Sequence, residues 1–226
     1  MTFSRLTAVA VATLAAACAC TAFAAPASAA PKGACASGYS YGGMQSLSPR
    51  RGISARIAAT RISAVTSGHI AGWVGVGGAG QGLNGADEWL QIGISSVPGG
   101  QTAIYYEVAQ PNARAAYTMV RPVTIGEAHV LGVYEIAPTV WVATVDGVPV
   151  MQPVMLPGSH GTWHGTATAE SYDGGYTACN TYGIQFADLR VADFTGLWMP
   201  MQHPQSFSNG GHSLTTTASS FVVNRR

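Results

Sequence analysis

Beyond residue 37 the chain alternates hydrophobic and polar positions over short runs, and clusters of Gly, Pro, Asn and Asp separate the runs. Period-two alternation of β-branched and aromatic residues predicts strands rather than helices. The runs cover residues 39–46, 53–66, 70–77, 88–96, 102–109 and 117–123, then 129–136, 139–145, 148–155, 161–172, 182–191 and 214–223. Asp146-Gly147 between two Val-rich runs signals a tight hairpin, and Pro98-Gly99-Gly100 signals a second turn. No helical apolar stripe and no internal repeat interrupts the series. About a dozen regularly spaced strands predict an all-β fold, an antiparallel double-sheet β-sandwich or jelly roll.

The first residues break this pattern. Arg5 is the single charge ahead of an Ala-, Val- and Leu-rich stretch over residues 6–25, and Ala27-Ser28-Ala29 follows as a small-residue exit. That order predicts a secretory signal peptide over residues 1–29, with residues 30–226 forming one β-sandwich domain outside the cytoplasm. A competing reading takes Cys18, at the end of Leu14-Ala15-Ala16-Ala17-Cys18, as a lipidation site, but its Leu stands one position too early. No later segment is long and apolar enough to predict a membrane span. Cleavage after Ala29 leaves Cys35 and Cys179, which an exported chain pairs in a disulfide or keeps as two buried thiols.

Composition narrows the function. Of 226 residues 47% are hydrophobic and 9% charged, with 11 Lys+Arg against 10 Asp+Glu. A formal net charge of +1 supplies no basic footprint, so nucleic acid is not an expected partner, and a monomer is expected. Motifs for common chemistries are missing. Gly93-Ile94-Ser95-Ser96-Val97 fails the nucleophile elbow at its last position, and there is no phosphate loop or dinucleotide fingerprint. His160 and His164 are four apart, but Gly158, Gly161 and Gly165 favour a loop over the helix that would converge them on a metal. His203 and His212 read as solvated loop residues. No cofactor or metal is expected.

One block carries a resemblance. Gly72-Trp73-Val74-Gly75-Val76-Gly77-Gly78 is followed by Trp89-Leu90-Gln91-Ile92-Gly93 and then Tyr105-Tyr106-Glu107-Val108, with Pro111 after it. This order resembles the glutamic peptidases (the eqolisin family), which carry Trp-Val-Gly-Ile-Asp-Gly, Leu-Gln-x-Gly and Trp-Tyr-Glu-Trp-Tyr-Pro in turn. Ser40-Tyr41-Gly42-Gly43, Ala169-Glu170-Ser171-Tyr172 and the run over residues 182–191 are similar to further pieces of that family. The resemblance implies a concanavalin A-like double-sheet sandwich and a Gln/Glu catalytic pair, here Gln91 and Glu170. It implies a polypeptide substrate, acidic working pH, and Trp73, Trp89, Tyr105 and Glu107 shaping a substrate groove. Two motif positions differ: the family Asp is Gly77, and the Trp ahead of the family Glu is absent, Trp163 lying seven positions back.

The chemistry asked of these residues is sensible. A carboxylate can take a proton from water as it attacks a carbonyl and then return it to the departing amine, and a neutral amide can donate to the developing oxyanion. Gln91 alternates in phase with Trp89 and Gly93, and Glu170 with Thr168 and Tyr172, so each set shares a sheet face. Both residues also read as ordinary polar positions on a sandwich exterior, and the Trp residues as core. A second function is therefore a non-catalytic sandwich binding surface glycans. A third is a glycosidase drawing its carboxylates from Glu88, Glu107 and Glu170.

Overall fold

The computed structural model describes residues 38–173, 179–217 and 220–225, all within one compact unit. The expected signal peptide, Cys18 and Cys35 lie outside the described residues, and with Cys35 one end of the Cys35–Cys179 bridge. In chain order the strands are β1 Tyr39–Pro49, β2 Gly52–Ala64, β3 His69–Gly78, β4 Glu88–Ser96, β5 Ala103–Ala109 and β6 Ala116–Pro122. There follow β7 Ala128–Ala137, β8 Val140–Val145, β9 Val148–Pro149, β10 Val154–Met155 and β11 His164–Tyr172. The last are β12 Thr181–Ala192, β13 Trp198–Pro200, β14 Gln205–Ser208, β15 His212–Thr216 and β16 Ser220–Arg225.

They form two antiparallel sheets, as expected. One runs β14-β1-β11-β3-β4-β5-β6; the other runs β10-β8-β7-β2-β12-β16-β15, with β13 on β12 and β9 on β8. Alternation decides which side of each strand meets the opposing sheet. From β4 the inward residues are Leu90, Ile92 and Ile94, and from β2 they are Ile53, Ala55 and Ile57, none more than 1% exposed. Phe186 and Phe221 stack at 4.6 Å in the same interior. Burying each such side chain contributes roughly 1.5–3 kcal/mol. With the apolar half of each strand committed inward, the polar half is left for the outer faces.

Turn chemistry agrees with the sequence at two places. Asp146 (φ 50) and Gly147 (φ 81) both take left-handed backbone, the primed turn that matches strand twist, and Val145 pairs with Val148 across it. Gly99 is left-handed at φ 65 in the β4–β5 turn, closed by a Gly100 N–H to Val97 carbonyl bond of 3.0 Å.

Several boundaries differ from the expectation. Residues 148–155 break into β9 and β10, because Pro149 and Pro153 interrupt the ladder. The run over 214–223 is a hairpin: β15 and β16 pair with each other, Leu214 opposite Val223. Residues 198–208, given no strand by the sequence pattern, supply the short β13 and β14. His212 is no solvated loop residue. It is 8% exposed in β15, receives the Tyr182 hydroxyl on Nε2 and gives Nδ1–H to the Asn209 carbonyl at 2.8 Å.

Candidate active site

The outer face of the β1-β11-β3-β4-β5 part of the first sheet holds the resemblance residues. Register places them in successive rows, because residues opposed across a ladder point to the same side. One row is Tyr41, Glu170 and Ala71; the next is Gly43, Thr168, Trp73, Gly93 and Tyr105; the next is Thr166, Gly75, Gln91 and Glu107. Gln91 and Glu170 thus share a face, separated along β3 by the row of Trp73. Both line one groove of about 410 Å³, together with Trp73, Trp89, Glu107 and Tyr41.

Glycines interrupt two of these rows. Gly75 and Gly93 sit between larger side chains of their rows. A Cβ on Gly93 would lie 2.6 Å from the Trp73 Cβ, and one on Gly75 would lie 2.8 Å from the Gln91 Cβ. Both glycines are buried, and their lack of a Cβ is what lets the side chains of Trp73 and Gln91 pack across the β3–β4 ladder.

Glu170 is held from both sides along β3. Trp73 Nε1–H donates to Oε2 at 2.9 Å, and His69 Nε2 lies 2.8 Å from Oε1. Ala71, opposite Glu170, is too small to interfere. The carboxylate side chain is 9% exposed. Two donors occupy two of roughly four lone-pair sites, leaving the remainder for a water. His69 itself lies against Tyr39 and Tyr172, at ring separations of 5.8 and 6.0 Å.

Gln91 donates from Nε2 to the Tyr105 hydroxyl at 3.1 Å, which fixes its amide plane and leaves a second N–H available. Tyr105, expected at the groove wall, is 2% exposed beneath Tyr117, with rings stacked at 4.9 Å. Its hydroxyl holds Gln91 from the buried side of the groove wall. Burial pushes its phenol well above the usual range, with the Glu170 and Glu107 charges adding to the effect.

Glu107 stands directly opposite Gln91. Burial raises its carboxyl above the ordinary value and the Glu170 charge raises it further, while a hydrogen bond from the Trp89 side chain and the nearby His69 pull it down. Tyr41 is likewise pushed up, by burial first and by Glu170 next.

Other expectations part from the groove. Glu88 points inward at 0% exposure and accepts from the Gly158 and Leu83 amides, closing two loops together. Trp163 is core, 2% exposed, donating to the Gln81 carbonyl at 3.0 Å. Gly77 takes φ +79, and a Cβ there would lie 2.2 Å from the Glu88 carbonyl oxygen, so an Asp does not fit this backbone. His160 bonds Glu135 at 2.9 Å and His164 bonds the Ser46 carbonyl at 2.7 Å, in separate places. Among the described residues no three His, Cys, Asp or Glu side chains gather as a metal site requires, and no helix is long and apolar enough to cross a membrane. His69 was not singled out from sequence. Its signal was present: in His69-Ile70-Ala71-Gly72-Trp73 it alternates in phase with Trp73.

No protein-family model matches the chain, and no curated protein matches it in sequence. Solved structures do. Scytalido-glutamic peptidase with a transition state analog inhibitor superposes with a TM-score of 0.61 at 15% identity, covering 84% of this chain and 98% of that one. SCP-B, a member of the eqolisin family of peptidases in a complex with the tripeptide Ala-Ile-His, gives 0.57 at 16% identity, over 83% and 98%. The fold is that of the glutamic peptidases. On that fold, the chain's Trp73–Gln91 block occupies β3 and β4 at the centre of the groove-bearing sheet, and Glu170 occupies β11 beside them.

Proposed function

We propose that the protein is an exported glutamic peptidase-like hydrolase that cleaves peptide bonds at acidic pH through Gln91 and Glu170. The observation that carries the reading is the placement of one neutral amide and one hydrogen-bonded carboxylate in the same groove of a glutamic-peptidase fold. Glu170 takes a proton from a water held at its free lone pairs, and that water attacks the substrate carbonyl. Gln91 gives its free N–H to the oxyanion. Trp73 and His69 fix the carboxylate. Polypeptide is the substrate class; residues 1–29 are the export signal, leaving a mature chain from residue 30.

Hydrolysis of a denatured protein near pH 4 tests the reading. Glu170→Gln removes the base and lowers kcat by about 10²–10⁴-fold. Gln91→Ala removes the oxyanion donor and costs about 10²–10³-fold. Undiminished hydrolysis by Glu170→Gln sinks the assignment. One observation favours glycan binding as a second reading: Tyr39 and Tyr41 stack at 6.2 Å and 11° at the groove end, a platform on which a sugar ring can lie. Oligosaccharide binding without hydrolysis of any peptide would select that reading.

A further inference from the structure

The carboxyl group nearest in register to Gln91 is not Glu170. Gln91 and Glu107 are a directly opposed cross-strand pair of β4 and β5, whose Cβ atoms such a pairing brings to roughly 5 Å. Glu170 stands two strands from Gln91 and on a row beyond that of Trp73. The groove therefore holds two acids with the amide beside one of them. Their settings differ. Glu170 has both oxygens tied to the donors His69 and Trp73; Glu107 is half-buried and reaches the groove wall beside Trp89.

We propose that Glu107 is the proton donor to the departing amine, so that Glu170 and Glu107 divide base and acid between them. This rests on the hydrolase reading of the same groove. In the first step Glu170, as carboxylate, removes a proton from water while the water oxygen bonds to the carbonyl carbon. The oxyanion accepts from Gln91. As the oxyanion re-forms its C=O and the C–N bond breaks, protonated Glu107 transfers its proton to nitrogen, releasing a free amine and a new carboxyl group. Glu107 is then ionised and Glu170 protonated, and one proton passed between them through solvent restores the start.

Environment supports the split, since a pair of carboxyls pushed apart can run acid and base chemistry together. The groups facing Glu107 are Glu170 from β11, His69 from β3, Tyr39 and Tyr41 from β1, Trp89 and Gln91 from β4 and Tyr117 from β6. Burial and the Glu170 charge keep a proton on Glu107 above the ordinary carboxyl range, and His69 opposes them.

The test uses leaving groups of unequal need. A peptide amide cannot leave without a proton, whereas 4-nitrophenolate can. Glu107→Gln is expected to lower kcat on the peptide at least about 10²-fold more than on a 4-nitrophenyl ester of the same acyl group. It also removes the alkaline fall of the peptide pH profile, and Glu107→Asp restores part of the rate. Equal losses on both substrates, or no loss on the peptide, overturn the inference. Carbon NMR of the Glu107 carboxyl supplies a readout apart from turnover. Its midpoint is expected to fall in Glu170→Gln, and an unmoved midpoint overturns the pairing. The base reading fails separately, if Glu170→Gln keeps full activity on both substrates. A wild-type protein that hydrolyses neither overturns both.

Discussion

Ala71 is the small residue that lets Glu170 be gripped from two sides. It stands opposite the acid while His69 and Trp73, two positions either way along β3, lean toward the same carboxylate. Hydrogen bonds to a charged group are worth about 1.5–3 kcal/mol. Trp73→Phe keeps the ring and deletes the N–H, so kcat/KM is expected to fall about tenfold or more. Circular dichroism should remain that of the wild type, because the ring faces the groove rather than the core. A rate equal to wild type would mean that the indole does not orient the base. Gln91 and Glu170 were named through the family resemblance of their neighbours, and period-two alternation put each on an outer sheet face, where both line one groove. His69 was not, although it alternates in phase with Trp73, since its tie to an acid emerges only once Glu170 is seen to lie across the ladder from Ala71. Tyr105 was legible as a site residue but misplaced, because the stacking of Tyr117 over it depends on the β5–β6 pairing.

Among the strands, those rich in Ile and Val were readable because their alternation is enforced by burial. β4 is the clear case: Leu90, Ile92 and Ile94 fill the interior and push Trp89, Gln91 and Gly93 outward. β13 and β14 were not readable, because short strands beyond the sheet centre gain their order from the partner, β12 or β1, rather than from their own apolar content. The glycines of β3 and β4 belong to the same scale, since they regulate how closely the two ladders approach. Gly93→Ala would put a Cβ 2.3 Å from the Gly72 carbonyl oxygen and 2.6 Å from the Trp73 Cβ. Overpacking of this kind costs about 1–3 kcal/mol, so the thermal midpoint should fall by several degrees. Because the displaced residue is Trp73, peptide hydrolysis should fall with it. A stable, fully active Gly93→Ala protein would show that the two ladders can part without disturbing the groove.

For the molecule as a whole, stability in acid is opposed by His212. Burial pushes this imidazole down to about 4 from an ordinary 6.5, the Arg225 charge adds to the depression, and the bond to the Asn209 carbonyl works against it. The folded protein thus keeps His212 neutral between about pH 6.5 and 4, where the unfolded chain takes up a proton. A state that binds the extra proton is favoured as pH falls, so unfolding gains over this window, stability rises from pH 4 to 6.5, and His212 adds no slope above it. Glu107 acts in the opposite sense, since its raised carboxyl holds a proton in the folded state that the unfolded chain has already lost. The two can be separated by substitution. His212→Gln keeps an acceptor for the Tyr182 hydroxyl and a donor for the Asn209 carbonyl, but removes the titration. Differential scanning calorimetry from pH 7 to 4 should show the wild-type midpoint dropping more steeply than that of His212→Gln, with a limiting slope of about 1.4 kcal/mol per pH unit in the wild type from this group. Parallel pH curves for the two proteins would assign the acid sensitivity elsewhere. A reduced slope in His212→Gln would mean that the β12–β15 contact carries a cost in the acidic range where the proposed cleavage takes place.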